Sequence, residues 1–287
     1  MARVRTRAPG VQGLGYVTVS PARDRRTAAR RLRAWFDKVP GAVVAFSGGV
    51  DSSLTAYLAL RRLGAARCLA VTAVSPLRRP EEAARAREFC AQHGIPFREF
   101  AAAELDLDEF RLNSPLRCYY CKRLILEGVR ERGPRGWALL GGSNLDDAAD
   151  YRPGARAESE AGCRRPLAEC GVGKSLVREL ARGYGLRCWD LPAQPCLASR
   201  IPYGEPVTGE KLARVAAAEA ALEGMGFVPC RVRHYSGFAR VEVPRARVRE
   251  LGARRPELEL RLLDLGFGNI EIDPEGFVSG KLNRVLP

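Results

Sequence analysis

The sequence has no long apolar run: no stretch of 18 apolar residues occurs in its 287 residues. A helix that crosses a bilayer needs about 20 such residues, so we expect no membrane span. The first 35 residues contain many arginines but no apolar core of the kind that secretory signals have. We therefore expect a cytoplasmic protein in which residues 1–25 form a loose basic tail.

Lysine is scarce: only five of the 47 basic residues are lysine, and the others are arginine. The net charge of +14 suits nucleic-acid binding. The arginines are nevertheless spread along the whole chain, and such an excess over lysine often reflects a GC-rich genome. We therefore expect a small, highly anionic substrate rather than RNA.

A disulfide framework is not expected, because the nine cysteines are odd in number and the protein is predicted to be cytoplasmic. Cys68 and Cys90 lie in apolar or helical segments and are expected to be core thiols. The chemically informative cysteines are Cys118, Cys121 and Cys196.

A phosphate-binding loop follows the apolar strand that ends at Phe46. Its glycines let the backbone approach an anion closely, and the following helix directs free N–H groups at the same spot. The loop contains no lysine, so it is not the loop of kinases and GTPases. It resembles the pyrophosphate-binding loop of ATP pyrophosphatases, although a ligand-free strand–helix turn is the alternative. The predicted ATP ligands in this loop are Ser47, Gly48, Gly49, Asp51, Ser52 and Ser53.

Alternating apolar strands and helices predict a doubly wound α/β domain with a parallel sheet over 26–202, with sites at the carboxyl ends of its strands. Residues 186–189 are predicted as its fifth strand, and residues 113–122 as a loop. From residue 203 to 287 the pattern predicts a smaller α+β domain for substrate binding or oligomerisation, with one helix over 244–265.

Two cysteines three residues apart, Cys118 and Cys121, together with the distant Cys196 make three thiolate ligands. Three ligands are one short of a structural zinc site and suit a [4Fe–4S] cluster with one open iron. A redox pair, half of a zinc site, or a buried Cys196 thiol remain alternatives. If these cysteines take part in the chemistry, the neighbouring basic residues favour their thiolate form.

The segment 142–154 follows a predicted strand and carries several acids. Such side chains can ligate Mg²⁺ or bind ribose and adenine, and an acidic helix start is the alternative. The members singled out are Gly142, Asn144, Asp146, Asp147 and Asp150.

A second segment, 168–175, nearly matches the kinase-type phosphate loop, but Ala168 replaces its first glycine and no strand is predicted before it. We interpret it as a helix start from which Lys174 could reach a phosphate.

Arg231 and Arg233 share one face of a predicted strand. Two guanidinium groups on one face could clamp a phosphate or carboxylate. A solvated strand face is the alternative interpretation.

Four motifs, at 47–53, 113–122, 142–154 and 195–204, occur in the order seen in the LarE family, and the resemblance extends from about residue 25 to the C-terminus. LarE proteins are ATP-dependent sulfur transferases of nickel-pincer cofactor assembly. The resemblance implies that ATP and Mg²⁺ adenylylate a carboxylate of pyridinium-3,5-biscarboxylic acid mononucleotide. Sulfur then gives a thiocarboxylate and AMP. It also implies a homo-oligomer, with a hexamer as one form.

The resemblance implies two sulfur sources: Cys196 itself, which becomes dehydroalanine, or a sulfide on a cluster held by all three cysteines. The cluster version is favoured because all three are present. It further implies that Asp51, Glu219 and Glu242 are catalytic, that Lys122 binds ATP, and that the substrate is bound by Arg200, Arg231 and Arg233.

Two positions depart from the family pattern: Val278 stands where arginine is expected, and Arg165 where serine is frequent. A tRNA thiolase with a three-cysteine cluster is the rival enzyme, since the charge suits RNA. A non-catalytic ATP-binding regulator is a third alternative.

Overall fold

A computed structural model describes residues 2–6, 15–148, 153–278, 281 and 284. The chain divides into two compact units. Unit 1 is 1–75, 80–102 and 118–194, and unit 2 is 76–79, 103–117 and 195–287. Unit 2 thus includes 76–79, 103–117 and 195–202, which the sequence pattern assigns to the first domain. None of the helices in the described part of the chain is both long and apolar enough to span a bilayer.

The strands of unit 1 are β1 (Ala2–Thr6), β2 (Gly15–Val19), β3 (Ala42–Ala45), β4 (Cys68–Val74), β5 (Phe97–Ala101) and β6 (Ala138–Leu140). Its helices are α1 (Arg25–Phe36), α2 (Val50–Leu63), α3 (Pro80–His93), α5 (Arg117–Arg132), which begins with the last residue of unit 2, α6 (Pro153–Glu160), α7 (Pro166–Glu169) and α8 (Lys174–Gly183). Unit 2 contains α4 (Asp108–Arg111), α9 (Gly209–Gly224), β7 (Arg231–Tyr235), β8 (Phe238–Glu242), α10 (Val248–Ala253), α11 (Arg255–Leu263) and β9 (Asn269–Ile272).

The core of unit 1 is a four-stranded parallel sheet in the order β5-β4-β3-β6. Its two central strands, β3 and β4, are almost wholly buried. This burial explains why their sequences are apolar throughout, as expected for a sheet covered on both faces. The predicted α/β class is confirmed, and the loops after β3 and β6 lie at neighbouring carboxyl ends of the sheet.

The predicted fifth strand at 186–189 is wrong. Leu186 donates its N–H to Ala181 and Trp189 donates to Leu186, so local turns satisfy this segment. Leu186 and Cys188 are buried in the same core cluster as α1, α2 and α8. The apolar run therefore reflects packing against helices, which a strand pattern imitates over so few residues.

The predicted loop over 113–122 is also wrong in its second half, because α5 begins at Arg117 and contains both Cys118 and Cys121. The turn signals Asn113, Ser114 and Pro115 end before the helix starts. Asn113 itself adopts a positive φ of 53°. Tyrosine and cysteine are only moderate helix formers, but most residues from 122 to 127 are good ones, so α5 extends back over the cysteines.

The loose tail predicted for residues 1–25 instead contains β1 and β2, which pair antiparallel with Val4 opposite Val17, and the start of α1. Valine, threonine and tyrosine in these segments favour strands. The abundance of arginine had obscured that preference.

Unit 2 is built on a three-stranded sheet in which β7 and β8 are antiparallel and β8 and β9 are parallel. Its core is formed by buried residues of α9, α10, α11 and the sheet. The single helix predicted over 244–265 is instead a short 3₁₀ turn followed by α10 and α11, separated at Arg254. Pro256 in the first turn of α11 explains the break, since proline cannot continue a preceding helix.

Candidate active site

The loop between β3 and α2 has the conformation that an anion site requires. Gly48 adopts φ +75°, which favours glycine, and Gly49 precedes the first residue of α2. The Oγ atoms of Ser47 and Ser52 lie 3.0 Å apart, and Ser52 Oγ donates to the Gly49 carbonyl. The hydroxyls and the free N–H groups at the start of α2 are thus held together at one point, as phosphate binding needs.

The segment after β6 approaches this loop so closely that only glycine fits at residue 142. A Cβ atom on Gly142 would lie 2.8 Å from the Ser52 nitrogen. Two residues later, Asn144 is buried and its Nδ2 donates to Asp51 Oδ1 at 3.1 Å. The structure therefore brings together two motifs that lie about 90 residues apart in the sequence.

Acidic side chains shape the turn that follows Asn144. Asp147 Oδ2 accepts a hydrogen bond from the Asn144 N–H, and Asn144 Oδ1 accepts one from the Asp146 N–H. Asp146 in turn accepts the N–H of Lys174 at 2.7 Å. These acids thus fix the loop. Asp150 lies outside the described residues.

Lys174 is a member of this site that the sequence indicated only weakly. Its ammonium group forms an ion pair with Asp51 Oδ2, and neither side chain is fully buried. The segment 168–175 is therefore not itself a phosphate loop, but it places the Lys174 side chain against the phosphate loop at 47–53.

Two further residues of this site, Ser143 and Glu158, were not predicted from the sequence. Glu158 is buried and accepts the Ser143 hydroxyl, while Lys122 Nζ lies 3.5 Å from Glu158 Oε1. This arrangement links the predicted ATP ligand Lys122 on α5 to the loop after β6. A lone glutamate on a short helix gives no sequence signal for such a role.

Three of the nine thiols are accessible. Cys118 is exposed, Cys121 and Cys196 are half-buried, and the other six are buried. Burial raises the pKa of Cys68, Cys90, Cys170 and Cys230 to about 12, so these thiols are protonated at neutral pH. The accessible thiols are the three that the sequence singled out.

Cys118 and Cys121 lie three residues apart on α5 and therefore on one face of that helix. Cys196 belongs to unit 2. Among the described residues, no three cysteine, histidine or acidic side chains are grouped in a way that could hold a metal ion. The cluster remains a prediction.

In unit 2, Cys196 immediately precedes a short 3₁₀ helix that ends at Arg200. The Arg200 guanidinium binds Glu219 through two hydrogen bonds of 2.8 and 3.0 Å and donates to the Pro195 carbonyl at 2.8 Å. Glu219 is fully buried and also accepts Arg79 and the Val232 N–H. The predicted catalytic Glu219 thus holds the chain around Cys196 in place through Arg200.

The predicted clamp of two arginines is divided between two environments. Arg233 is buried and its Nε and Nη2 both donate to Glu242, which is fully buried as well. Lys281 contacts Asp273 at 2.7 Å and Glu242 at 3.7 Å. Lys281, which follows Val278 in the same terminal segment, thus pairs with carboxylates within its own unit.

Arg231 differs from these groups because it makes no hydrogen bond or ion pair with a described residue. Its guanidinium lies 4.3 Å from the Phe277 ring centre. Burial, followed by the nearby positive charges of Arg200 and Arg233, lowers the pKa of Arg231. A half-buried cation in a positive environment favours an anionic ligand.

Known proteins are similar to this chain in sequence. Residues 35–108, which span β3 to β5, match the family model described as NAD synthase. The chain is 36% identical over 245 residues to the pyridinium-3,5-bisthiocarboxylic acid mononucleotide synthase of Lactiplantibacillus plantarum, a match that covers 85% of this chain and 89% of that protein. The chain belongs to the LarE family. It is also 40% identical over 262 residues to an uncharacterised protein of Synechocystis, across 89% of this chain and 96% of the relative.

Membership of the LarE family confirms the resemblance drawn from the four motifs. Together with the match to NAD synthase, it identifies the chain as an ATP-dependent enzyme of the superfamily that carries this pyrophosphate loop.

Proposed function

We propose that this protein is an ATP-dependent sulfur transferase that converts a carboxylate of pyridinium-3,5-biscarboxylic acid mononucleotide to a thiocarboxylate. The observation that carries the proposal is the joining of the 47–53 loop to Gly142 and Asn144 in a chain related over most of its length to the bisthiocarboxylate synthase. Unit 1 contains the ATP site. Unit 2 contains an accessible thiol, Cys196, and a cation, Arg231, that makes no hydrogen bond or ion pair with a described residue.

The first step activates the carboxylate. Ser47, Gly48, Gly49, Ser52 and Ser53 hold the β- and γ-phosphates, and Asn144 and Asp147 keep the facing loop in position. A carboxylate oxygen of the substrate attacks the α-phosphorus, the bond to the bridging oxygen breaks, and pyrophosphate leaves with the electron pair. Asp51 would hold Mg²⁺, which would offset charge on the phosphates.

The second step delivers sulfur to the acyl adenylate. In the sacrificial form, the Cys196 thiolate attacks the acyl carbon and AMP leaves. Removal of the Cys196 Cα proton then breaks the Cβ–S bond, leaving dehydroalanine and a thiocarboxylate. In the cluster form, Cys118, Cys121 and Cys196 would hold a cluster that would supply the sulfide, and the polypeptide would be unchanged.

Unit 2 contributes substrate recognition in this proposal. Arg231 has no carboxylate partner among the described residues, so we assign it to the substrate phosphate or to the second carboxylate. Arg233 and Arg200 are tied to Glu242 and Glu219, so they position β7 and the Cys196 turn. The predicted homo-oligomer can be checked by light scattering.

The test is intact-protein and product mass after anaerobic incubation with ATP, Mg²⁺ and the biscarboxylated mononucleotide. A thiolated product with loss of hydrogen sulfide from Cys196 indicates the sacrificial form. A thiolated product with an unchanged polypeptide indicates the cluster form, which Cys118→Ser and Cys121→Ser should then abolish. If ATP-binding protein yields no thiolated product, the proposal is wrong, and tRNA becomes the substrate to test because of the +14 charge.

A further inference from the structure

We propose that Lys174 is the lysine of the pyrophosphate site: it pairs with Asp51 when the site is empty and transfers to the β- and γ-phosphates when nucleotide binds. This inference rests on the proposed function, whose ATP step it deepens. The 47–53 loop has no lysine, although lysine is the usual point charge for phosphates. The structure supplies one from a different helix.

The backbone of Lys174 is fixed in place. Lys174 is the first residue of α8, and its N–H donates to Asp146. A Cβ atom on the preceding Gly173 would lie 2.9 Å from Asp146 Oδ1, so glycine leaves room for the Asp146 carboxylate that accepts this N–H. The Lys174 side chain therefore starts from a defined point and ends on Asp51, in the first turn of α2.

The ion pair between Lys174 and Asp51 is exposed enough for its two side chains to separate. The side chains of Lys174 and Asp51 are 35% and 23% exposed, so both remain accessible to solvent and ligand. By contrast, the Arg233–Glu242 pair is almost completely buried. Asp51 also keeps a second partner, Asn144, which holds the carboxylate when the lysine leaves.

Magnesium–ATP presents one anion and one cation, and the pair offers one partner for each. The ammonium group moves to the phosphates, and the carboxylate becomes free for the metal ion. When the α–β phosphate bond breaks, negative charge grows on pyrophosphate, and a fixed cation there stabilises the leaving group. No proton needs to move in this exchange. Loss of one such donor lowers turnover by about 100- to 1,000-fold in other enzymes.

A double-mutant cycle on pyrophosphate binding separates this role from a structural ion pair. Sodium pyrophosphate is titrated calorimetrically, without divalent cations, into wild type, Lys174→Gln, Asp51→Asn and the double variant. We expect Lys174→Gln to weaken pyrophosphate binding about tenfold in wild type and by a larger factor in the Asp51→Asn background, where the lysine is already released. Equal factors in both backgrounds, or no effect, would overturn the proposal.

Three controls complete the experiment. Lys211→Gln removes a comparable lysine–glutamate pair in unit 2 and should leave pyrophosphate affinity unchanged. AMP affinity should not change in Lys174→Gln, and Lys174→Arg should recover part of the pyrophosphate affinity. Circular dichroism confirms folding, and if Lys174→Gln does not fold, Lys174→Arg and Asp51→Asn form the cycle. If the wild-type protein binds neither ATP nor pyrophosphate, the proposed function itself is wrong.

Discussion

Gly142→Ala should disable ATP binding without unfolding the protein. The added Cβ would lie 2.8 Å from the Ser52 nitrogen, 3.0 Å from Ser52 Cα and 3.2 Å from Ser52 Cβ. Ordinary van der Waals contacts begin near 3.4 Å, so the two segments must separate by about 0.6 Å. The first two of these atoms are backbone, so no side-chain rotation relieves the clash. The helix start that holds the phosphates must therefore move.

The magnitude follows from the cost of overpacking, which is about 1–3 kcal/mol. If this cost appears in ATP binding, the dissociation constant rises about 5- to 150-fold. Thermal melts offer a second measurement. At an ATP concentration of about 100 times the wild-type constant, wild type gains about 2.7 kcal/mol of stability, whereas a variant weakened tenfold gains about 1.4 kcal/mol.

Calorimetric titration with a non-hydrolysable ATP analogue measures the effect directly. Gly183→Ala is the matched control, because Gly183 is the last residue of α8 in the same unit and its Cβ would meet nothing closer than 3.5 Å. We expect normal ATP affinity in this control. Unchanged affinity in Gly142→Ala, or an equal loss in Gly183→Ala, would refute the reasoning.

Three further predictions concern unit 2 and the thiols. Glu242→Gln should lower the free energy of unfolding, measured in urea, by about 3–5 kcal/mol, because it leaves the buried charge of Arg233 without its carboxylate partner. The control Glu271→Gln breaks an exposed ion pair with Arg240 and should cost under about 1 kcal/mol. A small loss in Glu242→Gln would contradict the burial of this pair. Iodoacetamide at neutral pH should label the accessible cysteines, Cys118, Cys121 and Cys196, before the buried cysteines Cys68, Cys90, Cys170 and Cys230. Peptide mass mapping measures the order of labelling, and earlier labelling of the buried cysteines would contradict their burial. Burial lowers the pKa of His234, so the unfolded chain binds a proton at this residue more readily than the folded protein does. The free energy of unfolding should therefore fall as the pH drops below about 6.5, and it should fall less steeply in His234→Leu than in wild type. Identical pH slopes in the two proteins would exclude His234 as a cause.

Local patterns predicted those parts of the fold and site that depend on neighbouring residues. The 47–53 loop, β4 and the glycine-rich turn after β6 all follow from short strings of residues with strong conformational preferences. The predicted face shared by Arg231 and Arg233 follows from strand alternation. Whether that face is buried depends on α9 and the 3₁₀ helix after Cys196, which alternation alone does not reveal.

The features that the sequence did not predict depend on residues that are far apart in the chain. Lys174 and Asp51 are separated by 123 residues, and Glu158 meets Lys122 only because α6 lies against α5. The supposed strand at 186–189 was wrong for the same reason, since its apolar residues serve packing against helices rather than a sheet. Propensity is a weak guide wherever tertiary contacts decide.

The central claim is that ATP activates a substrate carboxylate by adenylylation, and oxygen-isotope transfer tests it most directly. The biscarboxylated mononucleotide, with oxygen-18 in its carboxylates, is incubated with the protein, ATP and Mg²⁺, and the AMP is analysed by mass spectrometry. The account predicts one oxygen-18 atom in each AMP, formed in equal amount to the thiolated groups. Thiolated product accompanied by unlabelled AMP or by ADP would contradict it.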